Sequence, residues 1–146
     1  MTVKGGTNKI VEYFGPGVES ISCTGKGTIC NMGAELGATT SIFPADDVLR
    51  DFMLEQQREE DFTQIVADDD PEYDIHEEID LSKLEPLIAL PSSPGNVVPV
   101  TEVAGRDVYQ CYIGSSANPG YRDFAVTAEI VRGKKIAPGV SFDINP

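Results

Sequence analysis

KIVEYFGPGVESISCTGKGTICNMGAELGATTSIF, residues 9–43, is the stretch whose reading decides the fold. KIVEYFG alternates and is rich in β-favouring residues, which predicts a strand over 9–15. Gly15-Pro16-Gly17 is a strong turn signal. Ile21, Ile29, Met32 and Leu36 recur at roughly helical spacing, and the pattern predicts a helix over about 27–36. Ala38 to Phe43 is β-favouring again and stops at Pro44.

Outward from this core the alternation continues. Asp46 or Asp47 is placed to cap a helix through VLRDFMLEQQ, with Val48, Phe52 and Leu54 or Glu55 as its apolar face. Residues 59–80 form an acidic tract with eleven carboxylates and no Lys or Arg. Within it EYDIHEEIDL alternates enough to predict a strand with one wet face. LEPLIAL (84–90) is a short apolar segment, and PSSPGNVVP is a proline-rich loop that marks the best internal boundary. VYQCYIGS (108–115) predicts a buried strand and GSSANPG a tight loop. YRDFAVTAEIVRG predicts a helix with Phe124, Ala125, Ala128, Ile130 and Val131 inward and Gly133 as its stop, and VSFDINP a last strand. Such an order of strands and helices predicts an α/β fold, a mostly parallel sheet with flanking helices.

Composition narrows the function classes. The chain has 146 residues and a formal charge of -13. That charge repels nucleic acid and anionic membrane surfaces, and it places any clamp for an anionic substrate outside this chain. No apolar run is long enough to span a bilayer, and MTVKGGTNK lacks the apolar core of a secretory signal, so the default is a soluble, cytoplasmic protein. Cys23, Cys30 and Cys111 make neither a disulfide framework nor a Cys-x-x-Cys site, and His76 is the single histidine. Asp68, Asp70, Glu72 and Asp74 alternate, but without EF-hand spacing, and Pro71 interrupts them; the tract reads as a solvated connection. The glycine-rich loops lack the residues that complete a phosphate cradle. Arg132, Lys134 and Lys135 gather at a predicted helix end, where they complement its dipole.

Asn31 and Glu35 are four apart, so a helix through both sets an amide and a carboxylate on one face. Spacing alone favours an ordinary solvated pair. Gly114 to Asn118 sits where a predicted strand meets a helix, the usual place for ligand contacts in an α/β sheet, although Ser and Asn there equally serve as caps.

The series GPGV, SISCTG, TICNMGAE and GATTS between Thr2 and Pro44 resembles the aconitase family, its mitochondrial type in particular. The later stretches IHEEIDLSKLEPLIALPSSPGN and VYQCYIGSSANPGYRDF resemble the same family, so the likeness covers nearly all of the chain. The branch that doubles as an RNA binder reads A-N-M-x-P-E where this chain has CNMGAE.

The resemblance implies an aconitase-like layered fold and a parent hydro-lyase that turns citrate into isocitrate through cis-aconitate, with Lewis-acid activation by a [4Fe-4S] cluster. It implies that Asn31 lies near cluster and substrate, and that Glu35 approaches the oxygen that leaves and returns. Family members usually read G-S-C-T-N with a cluster cysteine where this chain reads GSSAN, so Ser116 stands at a ligand position, with Asn118 beside it. A serine oxygen is a poor substitute for a thiolate on iron; Cys111, five residues earlier, is the nearest sulfur if the strand shifts locally. Cys23 and Cys30 read as buried thiols that support the motif.

The implied organisation is an internal α/β portion over 1–91, a Pro/Gly-rich connection over 92–107 and the start of the next domain over 108–146, with Met1 as an added start. The implied partners are a tricarboxylate substrate and the remaining domains of the same chain, with no nucleic acid and no membrane. The isolated chain is expected to hold no cluster and to be inactive. A cluster-free binding or scaffolding relative, or a hydratase of homocitrate or methylcitrate, is the alternative.

Overall fold

The computed structural model describes residues 3–115 and 118–145. It divides into two compact units, Met1–Pro99 and Val100–Pro146. Each is of mixed α/β type, and two of the three strand pairings among the described residues are parallel.

The first unit begins with a parallel strand–helix–strand segment. Strand β1 (Ile10–Glu12) pairs with β2 (Thr40–Ile42) in the register Ile10↔Thr40 to Glu12↔Ile42. Tyr13 and Phe43 follow the paired strands and stack with ring centroids 4.4 Å apart. Helix α1 (Cys23–Met32) joins the strands. It starts four residues before the sequence expectation because Ser22 caps it, accepting the Gly25 amide at 3.2 Å. It also ends sooner than expected. Gly33–Leu36 winds into a 3-10 turn that Gly37, at φ 74°, closes in the left-handed region. Gly33 is pressed against β2 there: a Cβ on it would lie 2.3 Å from Ser41 Oγ.

Helix α2 (Asp47–Glu55) is capped by Asp46, whose Oδ1 accepts the Leu49 amide at 3.2 Å. Its half-buried face is Val48, Leu49, Phe52 and Met53, while Leu54 is exposed. The strand expected in EYDIHEEIDL is not formed; between α2 and Leu87 the described chain has only short 3-10 turns. Carboxylates repel along that segment and no strand edge pairs with it, so alternation alone does not produce a ladder. The PSSPGN stretch is the turn of an antiparallel hairpin between β3 (Leu87–Ala89) and β4 (Val97–Pro99), with the Leu90 amide on Asn96 O at 2.7 Å.

The second unit repeats the strand–helix–strand plan. Strand β5 (Gln110–Gly114) pairs in parallel with β6 (Ser141–Asn145), and α3 (Tyr121–Val131) lies between them in sequence. Gly133, at φ 70°, follows the end of α3 as expected. Strand β5 is not the buried strand expected: Gln110, Cys111 and Tyr112 are exposed, because its sheet has one other strand and no layer of the unit covers this end. On α3 Phe124 is half-buried, whereas Ala125, Ala128, Ile130 and Val131 are exposed.

Burial is sparse throughout. Val18 is the buried apolar side chain among the described residues, still 7% exposed, and Lys26 the buried charged one. Large apolar side chains such as Ile10, Tyr109, Tyr121 and Ile130 face outward. Apolar surface on this scale marks faces made to be covered.

Candidate functional site

The predicted site splits between the two units. In the first, Asn31 is the penultimate residue of α1 and Glu35 lies in the 3-10 turn. A 3-10 turn advances about 120° per residue, against about 100° in an α-helix, so Glu35 is carried round from the position above Asn31. The two stand four residues apart across the change from α-helix to 3-10 turn, so the angle between them is wider than in an unbroken α-helix. Both side chains are exposed, and neither bonds to another described side chain.

The turn that carries them is nonetheless well fixed. The Gly6 amide donates to Leu36 O at 2.9 Å, Thr7 bridges Ala38, and the Ala38 amide donates to Gly33 O at 3.1 Å. A Cβ on Gly6 would approach the Ala38 backbone to 3.0 Å, so the loop before β1 lies directly on the turn. Because β1 and β2 are parallel, this end of α1 is at the amino ends of the strands.

Toward the other end of α1 lies an ion pair the sequence reading missed. Lys26, on α1, is 6% exposed and donates to Asp46 Oδ2. Desolvation pushes the Asp46 carboxyl up, but the Lys26 ammonium and the Leu49 amide outweigh it and hold the group below its ordinary range. One carboxylate thus caps α2 and anchors α1. The available signal was a lone lysine in a glycine-rich helix, with a capping aspartate some twenty residues on.

The thiols behave as support. Cys30 Sγ donates to Ser41 O at 3.6 Å, and burial pushes its pKa up. Burial also pushes the Cys23 thiol up, with Lys26 opposing and Asp46 adding. Both are half-buried and favour the protonated form, which is not the form that ligates a metal.

In the second unit Cys111 is exposed on β5 opposite Phe142. The ladder runs unbroken from Gln110↔Ser141 to Gly114↔Asn145, so Cys111 is held in register and no local shift of the strand is present. Gly114 is required by closeness: a Cβ would lie 2.7 Å from Asn145 O and 2.8 Å from the Tyr112 hydroxyl. Ser116 lies outside the described residues. Asn118 is half-buried ahead of α3, whose first turn is closed by the Gly120 amide on Asp123 Oδ2 at 2.9 Å.

These donors do not fit an iron–sulfur cluster. No three His, Cys, Asp or Glu converge on a metal-sized site among the described residues. Cys111 belongs to a different unit from Cys23 and Cys30. Ser116, where the resemblance leads one to expect a cluster ligand, offers an oxygen harder than iron–sulfur iron prefers.

Comparison with known families matches the Aconitase family (aconitate hydratase) over residues 1–146. The chain belongs to the aconitase family. It is 46% identical to a mitochondrial aconitate hydratase of Saccharomyces cerevisiae, over 90% of this chain and 19% of that protein. It is 44% identical to the mitochondrial aconitate hydratase of Candida albicans, again over 90% of this chain and 19% of the other. A 3-isopropylmalate dehydratase large subunit 2 of Rubrobacter xylanophilus is 42% identical over 99% of this chain and 34% of its own length. The chain therefore spans a fifth to a third of these relatives. The mitochondrial names lend no support to the cytoplasmic location expected above, and no helix among the described residues is long and apolar enough to cross a membrane.

Proposed function

We propose that this chain is part of an aconitase-family hydro-lyase in which Glu35 handles the proton of the substrate's leaving or entering oxygen and Asn31 orients that oxygen through its amide. The observation that carries the reading is the match of residues 1–146 to the family, together with the TICNMGAE turn held against β2 with its amide and carboxylate left open. A carboxylate at the mouth of a turn accepts a hydrogen bond from a hydroxyl and passes its proton on. The substrate class is a hydroxy-polycarboxylate: citrate and isocitrate by the aconitate hydratase likeness, with homocitrate or methylcitrate as close variants. A chain of charge -13 has little with which to clamp such an anion, so the counter-charges belong to the rest of the parent. The same holds for the [4Fe-4S] cluster the family implies, whose ligands are not assembled by the described residues. The domain junction of the parent is assigned to 92–107.

The test is made on the full-length parent. Glu35→Gln lowers kcat for citrate by about a hundredfold or more while leaving KM within about threefold, as for loss of a proton-transfer group. An unchanged kcat sinks the assignment of Glu35. The 146-residue chain by itself does not consume cis-aconitate, and turnover by it would overturn the view that this is part of a composite site.

A second reading is favoured by Ser116 alone: a relative that kept the fold for binding and lost the cluster. Iron and sulfide analysis of the parent after anaerobic reconstitution separates the two, since a parent unable to retain iron supports the second.

A further inference from the structure

We propose that residues 65–81 form a removable strap over the crevice at the carboxyl ends of β1 and β2, latched by Phe14 and opened by the strap's own negative charge. In open α/β sheets that end is where ligands enter. The crevice measures about 250 Å³ and is walled by Glu12, Ile42 and Phe43 on the sheet side and by Ile65, Asp68 and Pro71 on the strap side.

Three anchors hold the strap, each just past a strand end. The Ala45 amide donates to Ile65 O at 2.7 Å. The Phe14 ring meets Tyr73 at 5.3 Å, nearly parallel at 8°, and His76 at 5.5 Å, edge-on at 60°. Leu81 fills the space over Gly17, where a Cβ would lie 2.8 Å from Leu81 Cδ1. The GPGV turn thus has a local reason for its second glycine. Past the isolated antiparallel bridge Ala45↔Ile65 the strap has no ladder of its own, and no backbone amide from 66 to 79 donates to another described residue. A segment held at points rather than along its length opens at low cost.

What opens it is also on the strap. Residues 65–81 carry eight carboxylates and no Lys or Arg. Desolvation pushes the Tyr73 phenol up, and the Glu12 carboxylate, an acceptor for its O–H, and the Asp68 charge add to that, so carboxylates from both walls of the crevice lie near this ring. No ion pair to Lys or Arg neutralises Glu12 or Asp68 among the described residues. Their repulsion works against the latch, and salt weakens it, since the screening length shrinks from about 30 Å at 0.01 M to about 3 Å at 1 M. The strap closes as ionic strength rises.

Glutamyl endopeptidase reads this directly, because Glu72, Glu77 and Glu78 lie on the strap and trypsin has no site there. Rates on the 146-residue chain are divided by those on a free peptide of residues 59–80 at the same salt, which removes the protease's own salt response. The chain is cut after Glu72 about tenfold more slowly than the peptide at about 0.5 M NaCl, and this protection falls about threefold at about 0.02 M. Phe14→Ala and Tyr73→Ala bring the rate to within about twofold of the peptide, and Phe14→Tyr keeps the protection. Tyr73→Ala lies on the strap itself and leaves β1 intact, so it decides the matter if Phe14→Ala unfolds. Equal cutting of the native chain and Tyr73→Ala overturns the latch. Protection that does not grow with salt overturns the role of charge.

Discussion

The segment from β1 to β2 and the segment from β5 to β6 are both a parallel strand pair joined through a helix, yet they are closed by different means. In the first, α1 carries a buried lysine that reaches the cap of α2, and a loop before β1 lies on the turn after α1. In the second, the polar contacts are at the surface: Gln110 to Asp143 at 2.9 Å, Ser141 to Asp143 at 3.2 Å, and an exposed Arg132–Glu129 pair. The outer face of α3, with Tyr121 and Ile130 outward, has nothing on it within its unit. The same topology therefore carries a buried ion pair in one copy and surface polar contacts in the other. Connectivity fixes which strands pair; it does not fix what stabilises the pair.

Removing the buried cation tests that contrast most strongly. Lys26→Met leaves Asp46 enclosed without its partner, at a cost of about 3 kcal/mol. Hydrogen exchange followed by mass spectrometry accelerates in α1 and α2 and is unchanged in α3. Equal acceleration in both units would mean that they are not separately stabilised. Next in size, Gly114→Ala forces a Cβ onto Asn145 O and costs about 2 kcal/mol, confined to β5 and β6.

Acid sharpens the comparison further. The folded Asp46 carboxyl titrates below its unfolded value, which is near 3.9. Its contribution is complete above that value and is lost as pH falls through the folded one. Denaturant midpoints taken between pH 5 and pH 3 fall in α1 and α2 for the native chain, and this fall is reduced in Asp46→Asn. The smallest effect belongs to the open face. Ile130→Gln shifts the stability of this chain by less than about 0.5 kcal/mol, since Ile130 is already 61% exposed. In the full-length parent the same change costs several times more if that face is covered there, and an equally small effect in both argues that it stays bare.

Much of this was legible from sequence where the signal is local. Asp46 as a cap, Gly133 as a stop and the four strands of the two parallel pairs follow from residues next to one another. The break at Gly33 was not legible, because it answers to Ser41 across the strand–helix contact. EYDIHEEIDL alternates like a strand, but its shape is set by Phe14 and Gly17, some sixty residues earlier. For the site, the family motifs brought out Asn31 and Glu35, while helical periodicity overstated their alignment, since the turn tightens between them. The Lys26–Asp46 pair was hidden for the same reason as the strap: its partners meet only in space.

Three two-stranded sheets leave each of the six described strands with one side unpaired. Such borders are templates for strand addition by other molecules. In dilute neutral solution the charge of -13 keeps copies apart. Near pH 4.3, where that charge vanishes, nothing comparable remains to hold them off. The colloidal behaviour of this chain is thus governed by its carboxylates, and turbidity on mild acidification should precede any loss of helix.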